Sequence, residues 1–139
     1  MIETEQPKVS WWRFPLAILL FILVYIFLPM LIGIMMTIGN LFIPSAYQNT
    51  SFWIFIVSDI MSAVTGFYLV DYILLNQKYA FQAVWAAIVA IYSFVVSITN
   101  WVMFSSTLEQ FLGVLSMGIV AIVFVALSCK KNSEINSSK

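Results

Sequence analysis

Asp59 is the residue in this sequence of 139 residues whose type and position most strongly indicate chemistry. It lies within a long apolar run, about eight residues and roughly 12 Å from the nearer end of the helix that this run predicts. A carboxylate at such a depth in a bilayer costs about 2.5–3.5 kcal/mol on insertion scales, and it usually faces a bundle interior or a water-filled cavity. Asp59 is therefore a candidate proton-, ion- or substrate-binding group.

Four serines extend Asp59 into a candidate intramembrane polar site, namely Ser62, Ser93, Ser97 and Ser116. Counting from the outer end of each predicted helix at about 1.5 Å per residue places Ser93 and Ser116 near the depth of Asp59, with Ser97 one turn higher. Hydroxyl groups at that depth can form hydrogen bonds between helices. The sequence thus predicts a polar layer in the outer half of a helix bundle.

Small residues recur at helical spacing beside this layer and predict close helix packing. The predicted packing positions are Gly33, Ser58, Gly66, Ala86 and Ala90. Faces on which small residues recur every three or four positions let helices approach closely in lipid. The alternative interpretation is that the whole layer is only a packing seam, in which Asp59 contributes a hydrogen bond of about 0.6 kcal/mol.

Common catalytic constellations cannot be assembled from this sequence. It has no histidine and one cysteine, Cys129, which leaves no Ser-His or Cys-His couple and no imidazole ligand for a metal. Asp59 and Asp71 lie on one predicted helix, about 18 Å apart along its axis, whereas carboxylates that share a proton lie about 3 Å apart. We therefore predict no enzymatic activity, no metal and no cofactor.

Four long apolar runs must position these residues. Hydrophobic residues make up 63% of the chain and charged residues 9%, compared with about 45–50% and about 25% in soluble domains, and the mean hydropathy is +1.01. A run of about 20 apolar residues is long enough to cross a bilayer as a helix. The predicted class is an all-α membrane protein, an antiparallel bundle of four transmembrane helices within residues 12–128, with spans at about 12–38, 52–75, 80–101 and 108–128.

The basic residues predict the orientation of this bundle. All six lie before or at the start of the first run, between the second and third, or after the fourth: Lys8, Arg13, Lys78, Lys130, Lys131 and Lys139. Short cytoplasmic segments carry an excess of lysine and arginine. We therefore predict a multi-pass protein of the cell membrane with both termini in the cytoplasm (N-in/C-in), where residues 1–11 and 129–139 form cytoplasmic tails.

Pro29 lies in the middle of the first apolar run. Proline has no N–H and cannot donate to the carbonyl four residues earlier, so Pro29 frees the carbonyl of Tyr25 and predicts a kink in the first span. Gly33, one turn later, would relieve crowding there. Because proline is common in membrane helices, a fixed bend is favoured over a hinge.

These features predict the location of the protein more specifically than its function. We predict a small integral membrane protein that serves as an accessory or self-associating subunit without catalytic activity. Its predicted partners are the lipid bilayer and either further copies of itself or a partner membrane protein. The formal net charge is zero, which argues against binding nucleic acid. The alternative is a small oligomeric transporter or channel in which Asp59 is a protonatable or cation-binding site, and an enzyme acting on lipid is a third, less favoured interpretation.

Overall fold

The structure confirms an all-helical chain. A computed structural model describes residues 7–42, 51–103 and 108–138, and within these ranges it contains α1 (Arg13–Asn40), α2 (Ser51–Ile73), α3 (Tyr79–Met103) and α4 (Leu108–Ser137). Each helix is long and apolar enough to span a membrane, as the hydropathy of the sequence predicts. Residues 1–6 of the predicted amino-terminal tail and most of the predicted loops before α2 and α4 lie outside the described residues.

The helices begin and end within a few residues of the predicted spans, except at the end of α4. That helix continues to Ser137, through the segment predicted to be a tail. Residues 129–137 contain neither glycine nor proline, and lysine and glutamate favour helix. Lys130 and Glu134 are also four residues apart, a spacing at which opposite charges stabilise a helix. The end of the apolar run therefore marks the end of the predicted span but not the end of its helix.

The four helices pack in the order α1, α2, α4, α3. The first packs on the second, α2 packs on α4 and α4 packs on α3, whereas α2 and α3 touch at few positions. Between α1 and α3, aromatic pairs make the contact: the ring centroids of Phe14 and Phe81 are 4.8 Å apart, and those of Phe21 and Trp85 are 5.5 Å apart. These two helices thus meet through large side chains rather than along a close seam.

Phe67 of α2 lies at the centre of the bundle and contacts all three of the other helices. Its ring is fully buried, with its centroid 4.9 Å from that of Phe21 in α1 and 4.8 Å from that of Phe124 in α4. Its carbonyl oxygen accepts a hydrogen bond of 3.1 Å from Nε2 of Gln82 in α3. Small buried residues surround this cluster and allow the helices to come together: Ala17, Ala63, Ala86, Ala90 and Ala121.

The turn after α2 ends that helix sharply. Leu75 and Asn76 have left-handed backbones, with φ angles of 58° and 53°, a conformation that asparagine adopts more readily than most residues. The N–H of Asn76 donates to the carbonyl of Asp71 at 2.8 Å, a bond of the kind that closes helix ends. Arg13 of α1 donates a hydrogen bond of 3.1 Å to the carbonyl of Ile73, which places a cation at the negative end of the α2 dipole.

Candidate functional site

Asp59 lies on the face of α2 that packs against α4. A Cβ atom built on Gly113 of α4 would overlap Oδ2 of Asp59 and would lie 3.5 Å from its Cγ. Any side chain larger than hydrogen at position 113 would therefore displace the carboxylate. Asp59 is partly buried, so the polar residue singled out from the sequence is built into the contact between α2 and α4.

Two tyrosines bring further polar groups to Asp59. Tyr25 of α1 is partly buried and lies close enough to Asp59, and to Tyr92 of α3, to interact electrostatically with both. Neither phenol forms a hydrogen bond with another residue in the described part of the chain. Three helices thus contribute one carboxylate and two phenol groups, which together are termed the carboxylate cluster.

A cleft of about 450 Å³ lies between α1 and α3, and the two tyrosines of the carboxylate cluster line it. Asp59 is not itself a lining residue, but it packs at Gly113, one helical turn from Met117 of the cleft wall. Phe21 and Trp85 line one end, where their rings meet edge to face, and Tyr25 and Tyr92 line the other. Met117 of α4 also contributes to the wall. The remaining lining residues are aliphatic: Ile22, Ile26, Ile88 and Val89. The volume falls in the range of about 300–1,000 Å³ that is usual for small-molecule sites.

Several buried polar atoms near this region have no hydrogen-bond partner among the described residues. They are Nε1 of Trp85, Oε1 of Gln82 and Oγ of Ser58. Each such atom costs about 1–3 kcal/mol relative to a bonded one. Trp85 lines the cleft and Gln82 lies one turn before it, while Ser58 precedes Asp59 in α2. Unpaired polar groups therefore accompany both the cleft and the carboxylate.

The four predicted site serines hydrogen-bond within their own helices. Ser62, Ser93 and Ser97 are buried and Ser116 is partly buried. Each hydroxyl donates at 2.6–2.8 Å to a carbonyl three or four residues earlier: Ser62 to Ser58, Ser93 to Val89, Ser97 to Ser93, and Ser116 to Gly113. This local bonding uses the hydroxyl proton and leaves only acceptor lone pairs for other partners. That these serines belong to a binding site stays a prediction.

Contacts with α4 show the levels at which the polar residues lie. Asp59 packs at Gly113, whereas the Cβ of Ser93 lies 3.3 Å from where a Cβ at Gly118 would stand. The two glycines are separated by about 7.5 Å along α4, so Asp59 and Ser93 contact α4 more than one helical turn apart. Ser116, bonded to the carbonyl of Gly113, shares a contact residue with Asp59.

Four of the five predicted packing residues are buried: Ser58, Gly66, Ala86 and Ala90. A Cβ atom on Gly66 would lie 2.7 Å from Cδ2 of Phe21, so this glycine allows α1 to approach α2. Gly33 differs from them, because a Cβ atom built there would meet no other atom within 4 Å. A small residue at position 33 thus serves no contact within the described part of the chain.

Sequence reasoning missed the residues that surround Asp59. Tyr25 and Tyr92 lie well inside their helices, away from the membrane interfaces where tyrosine is enriched, and that position could have marked them. Gly113 and Gly118 are five residues apart, so they do not produce the spacing of three or four that predicts a packing face. Gln82 continues the small stripe of α3 one turn before Ala86, and a buried amide at that point could also have been recognised.

Asp71 belongs to a second polar region at the end of α2. It is 8% exposed and interacts electrostatically with Lys131 of α4. The Nζ atom of Lys131 lies 5.1 Å from the ring centroid of Tyr79, at the start of α3. Together with the bond from Arg13 to Ile73, these contacts gather basic residues from α1 and α4 around the end of α2.

Comparison with known proteins does not assign a function. The sequence matches no protein family, and neither curated proteins nor solved structures show detectable similarity to it. Within residues 7–42, 51–103 and 108–138, no group of three or more cysteine, aspartate or glutamate side chains could hold a metal ion. The geometry of the carboxylate cluster and of the helix surfaces therefore carries the functional interpretation.

Proposed function

We propose that the protein is a multi-pass subunit of the cell membrane, without catalytic activity, that associates with copies of itself or with partner membrane proteins. The exposure of α1 carries this proposal. This helix has the highest mean hydropathy of the four, 2.9 over its most apolar window, and only 6% of that window is buried. An apolar helix that packs mainly on one neighbour has most of its surface available for a second helix.

Gly33 and Thr37 form a small face on the exposed helix. The hydroxyl of Thr37 donates to the carbonyl of Gly33 at 2.9 Å, so its proton is satisfied even when surrounded by lipid. Small residues four positions apart let a second helix approach closely. Because no described residue of this chain fills the space beside Gly33, the proposed occupant is a helix of another molecule.

The proposed orientation is an antiparallel bundle with both termini on the cytoplasmic side. Two contacts of basic residues support it, from Arg13 at the start of α1 to the end of α2 and from Lys131 near the end of α4 to Tyr79 at the start of α3. Elsewhere, Trp101 near the end of α3 lies 5.1 Å from Phe111 near the start of α4. Basic residues gathered at one end of a bundle are typical of a cytoplasmic face.

Replacing Gly33 with leucine tests the proposed association. The larger side chain should hold a second helix away from α1, because small residues are what let helices approach closely in lipid. We expect self-association or partner binding to weaken about tenfold, which corresponds to about 1.4 kcal/mol. Dissociation constants from energy transfer between labelled chains in bilayers, together with recovery of co-purifying membrane proteins, measure the effect.

Gly39→Leu is the matched control for this test. Gly39 also lies in α1 with open space around it, but it is about 120° away from Gly33 around the helix. We expect Gly39→Leu to associate like the wild type. The proposal is contradicted if wild type and Gly33→Leu associate with equal affinity. It is also contradicted if the wild-type chain stays monomeric in lipid and binds no partner.

A second candidate function is a small oligomeric transporter or channel that uses Asp59 as a protonatable or cation-binding site. The observation that favours it is the carboxylate cluster beside the cleft. Ionisable residues inside membrane spans often mark the paths of ions, protons or substrates. The phenols of Tyr25 and Tyr92 can donate and accept hydrogen bonds, so they provide polar steps between Asp59 and the cleft.

Asp59→Asn tests this second function in proteoliposomes. We expect proton-linked or cation flux to fall to the level of protein-free vesicles, because asparagine keeps the size of the side chain and removes its charge. A pH-sensitive dye inside the vesicles reports the flux under an imposed potential. Asp71→Asn, which removes the other carboxylate of α2, should retain flux. Wild-type vesicles without flux, combined with poor assembly of Asp59→Asn, would instead support a packing role for Asp59.

A further inference from the structure

We infer that the cleft between α1 and α3 binds a hydrophobic organic cation, attracted by the carboxylate of Asp59 and held against the rings of Tyr25, Trp85 and Tyr92. This inference deepens the second candidate function by giving it a class of substrate. Only transport of this ligand depends on the second candidate function, because binding of the ligand can be measured even where no flux occurs.

The charge of Asp59 has no basic partner within residues 7–42, 51–103 and 108–138. All six basic residues of the sequence lie outside the apolar runs or at the start of the first, and Arg13 and Lys131 lie near Ile73 and Asp71, about 18–21 Å from Asp59 along α2. Among the described residues, no basic side chain interacts electrostatically with Asp59, so this partly buried carboxylate lacks a compensating charge there. A ligand that brings a positive charge into the cleft would supply one.

Aromatic rings make the cleft suitable for a cation with apolar substituents. Two tyrosines, Trp85 and Phe21 line it, and cations bind over the faces of such rings within about 6 Å of the centroid, most strongly over tryptophan. A small hydrated ion would lose its water against the aliphatic part of the wall. A cation whose charge is surrounded by hydrocarbon groups loses much less, and it gains contact with the same wall.

Size and access fit the same class of ligand. The cleft holds about 450 Å³ and lies between two apolar helices that meet only through large side chains, so a ligand dissolved in the membrane can enter from the side. Pro29 has no N–H and cannot donate to the carbonyl of Tyr25. The oxygen of this carbonyl is therefore a second acceptor in addition to the carboxylate of Asp59. Both the carboxylate and this carbonyl favour positive charge over negative charge.

Tetraphenylphosphonium is a probe with the required charge and apolar surface. Equilibrium dialysis of the full chain in mild detergent should show saturable binding of this cation. We expect Asp59→Asn and Trp85→Leu each to weaken the affinity about tenfold, which corresponds to the loss of one charge or ring contact. Matched controls are Asp71→Asn, which removes the distant carboxylate, and Tyr72→Leu, which removes a tyrosine that is 74% exposed; both should bind like the wild type.

A neutral probe of similar shape, triphenylphosphine oxide, separates charge from apolar contact. We expect it to bind more weakly than the cation and to be indifferent to Asp59→Asn. Equal affinity for the two probes, the same affinity in Asp59→Asn and Asp71→Asn, or no binding of the cation by the wild type would each overturn the inference.

If Asp59→Asn fails to fold, as judged by gel filtration and helical circular dichroism, the comparison of Trp85→Leu with Tyr72→Leu tests the inference instead. Cation binding without flux sustains the inference and contradicts only the transporter, whereas proton flux without cation binding contradicts the inference alone.

Discussion

Phe67→Ala is expected to lower the free energy of unfolding by about 2 kcal/mol or more, because it leaves a cavity of roughly 100 Å³ at about 24 cal/mol per Å³. The ring is fully buried between Phe21 and Phe124, so helices on both sides lose contacts. Lipid is as apolar as this core, and the transfer of the ring out of water, which adds to such losses in soluble proteins, contributes little here. The cavity itself produces the effect.

Reversible unfolding in mixed micelles, followed by helical circular dichroism and tryptophan fluorescence, measures this loss. Tyr72→Ala provides the comparison, since Tyr72 is on the same helix, carries a similar ring and is 74% exposed. Its expected change is within about 0.5 kcal/mol, as for other exposed positions. If both variants lost the same stability, Phe67 would not have the central position described for it.

The positions of the helices could be predicted because lipid imposes a length and a composition on them. Runs of about 20 apolar residues cross the hydrocarbon layer, and the polar segments between the runs interrupt them. The first span, predicted at 12–38, is observed as α1 (Arg13–Asn40). The end of α4 was not predictable by that rule, since hydropathy records where a chain becomes polar, whereas Lys130 and Glu134 are polar and also favour helix.

The neighbours of Asp59 were harder to predict than Asp59 itself. A single charge in an apolar run stands out in the sequence alone, but its contact with Gly113 joins two helices and depends on how each is rotated and tilted. Side chains of α1 are apolar all around the helix, so no periodicity indicates that Tyr25 lies within electrostatic range of Asp59. Rotation is fixed here by packing, such as that of Phe21 against Gly66, which a hydropathy pattern does not record.

The serines show why residue type does not specify a partner. Ser93 and Ser97 are fully buried or nearly so, as their shared face predicts, yet both donate to their own helix. A carbonyl three or four residues earlier is always within reach of a serine on a helix, whereas a carbonyl on another helix requires a favourable register. Proximity within the helix therefore decided the bonds, and within the described residues neither hydroxyl donates to another helix.

Gly113→Ala is expected to reduce the free energy of unfolding by about 1–3 kcal/mol, the usual range when an extra carbon is forced into a packed contact. The new Cβ atom would overlap Oδ2 of Asp59, so either the carboxylate must rotate away or α2 and α4 must separate. In an Asp59→Ala background the obstruction is gone, and the same substitution should cost little. A double-mutant cycle is therefore expected to give a coupling of about 1 kcal/mol or more.

Gly39→Ala is the control for the intrinsic effect of the substitution, since a Cβ atom at Gly39 meets no neighbour within 4 Å. Alanine favours helix over glycine by about 1 kcal/mol, so this variant should be as stable as the wild type or more stable. Additive losses at Asp59 and Gly113 would show that the two residues do not touch. Coupled losses would show that the α2–α4 contact is built around the carboxylate, and the Asp59→Ala/Gly113→Ala chain would then retain its packing without the charge. This double variant separates the two interpretations of Asp59. If Asp59 only packs, the double variant should associate like the wild type. If Asp59 binds cations, the double variant should lose tetraphenylphosphonium binding.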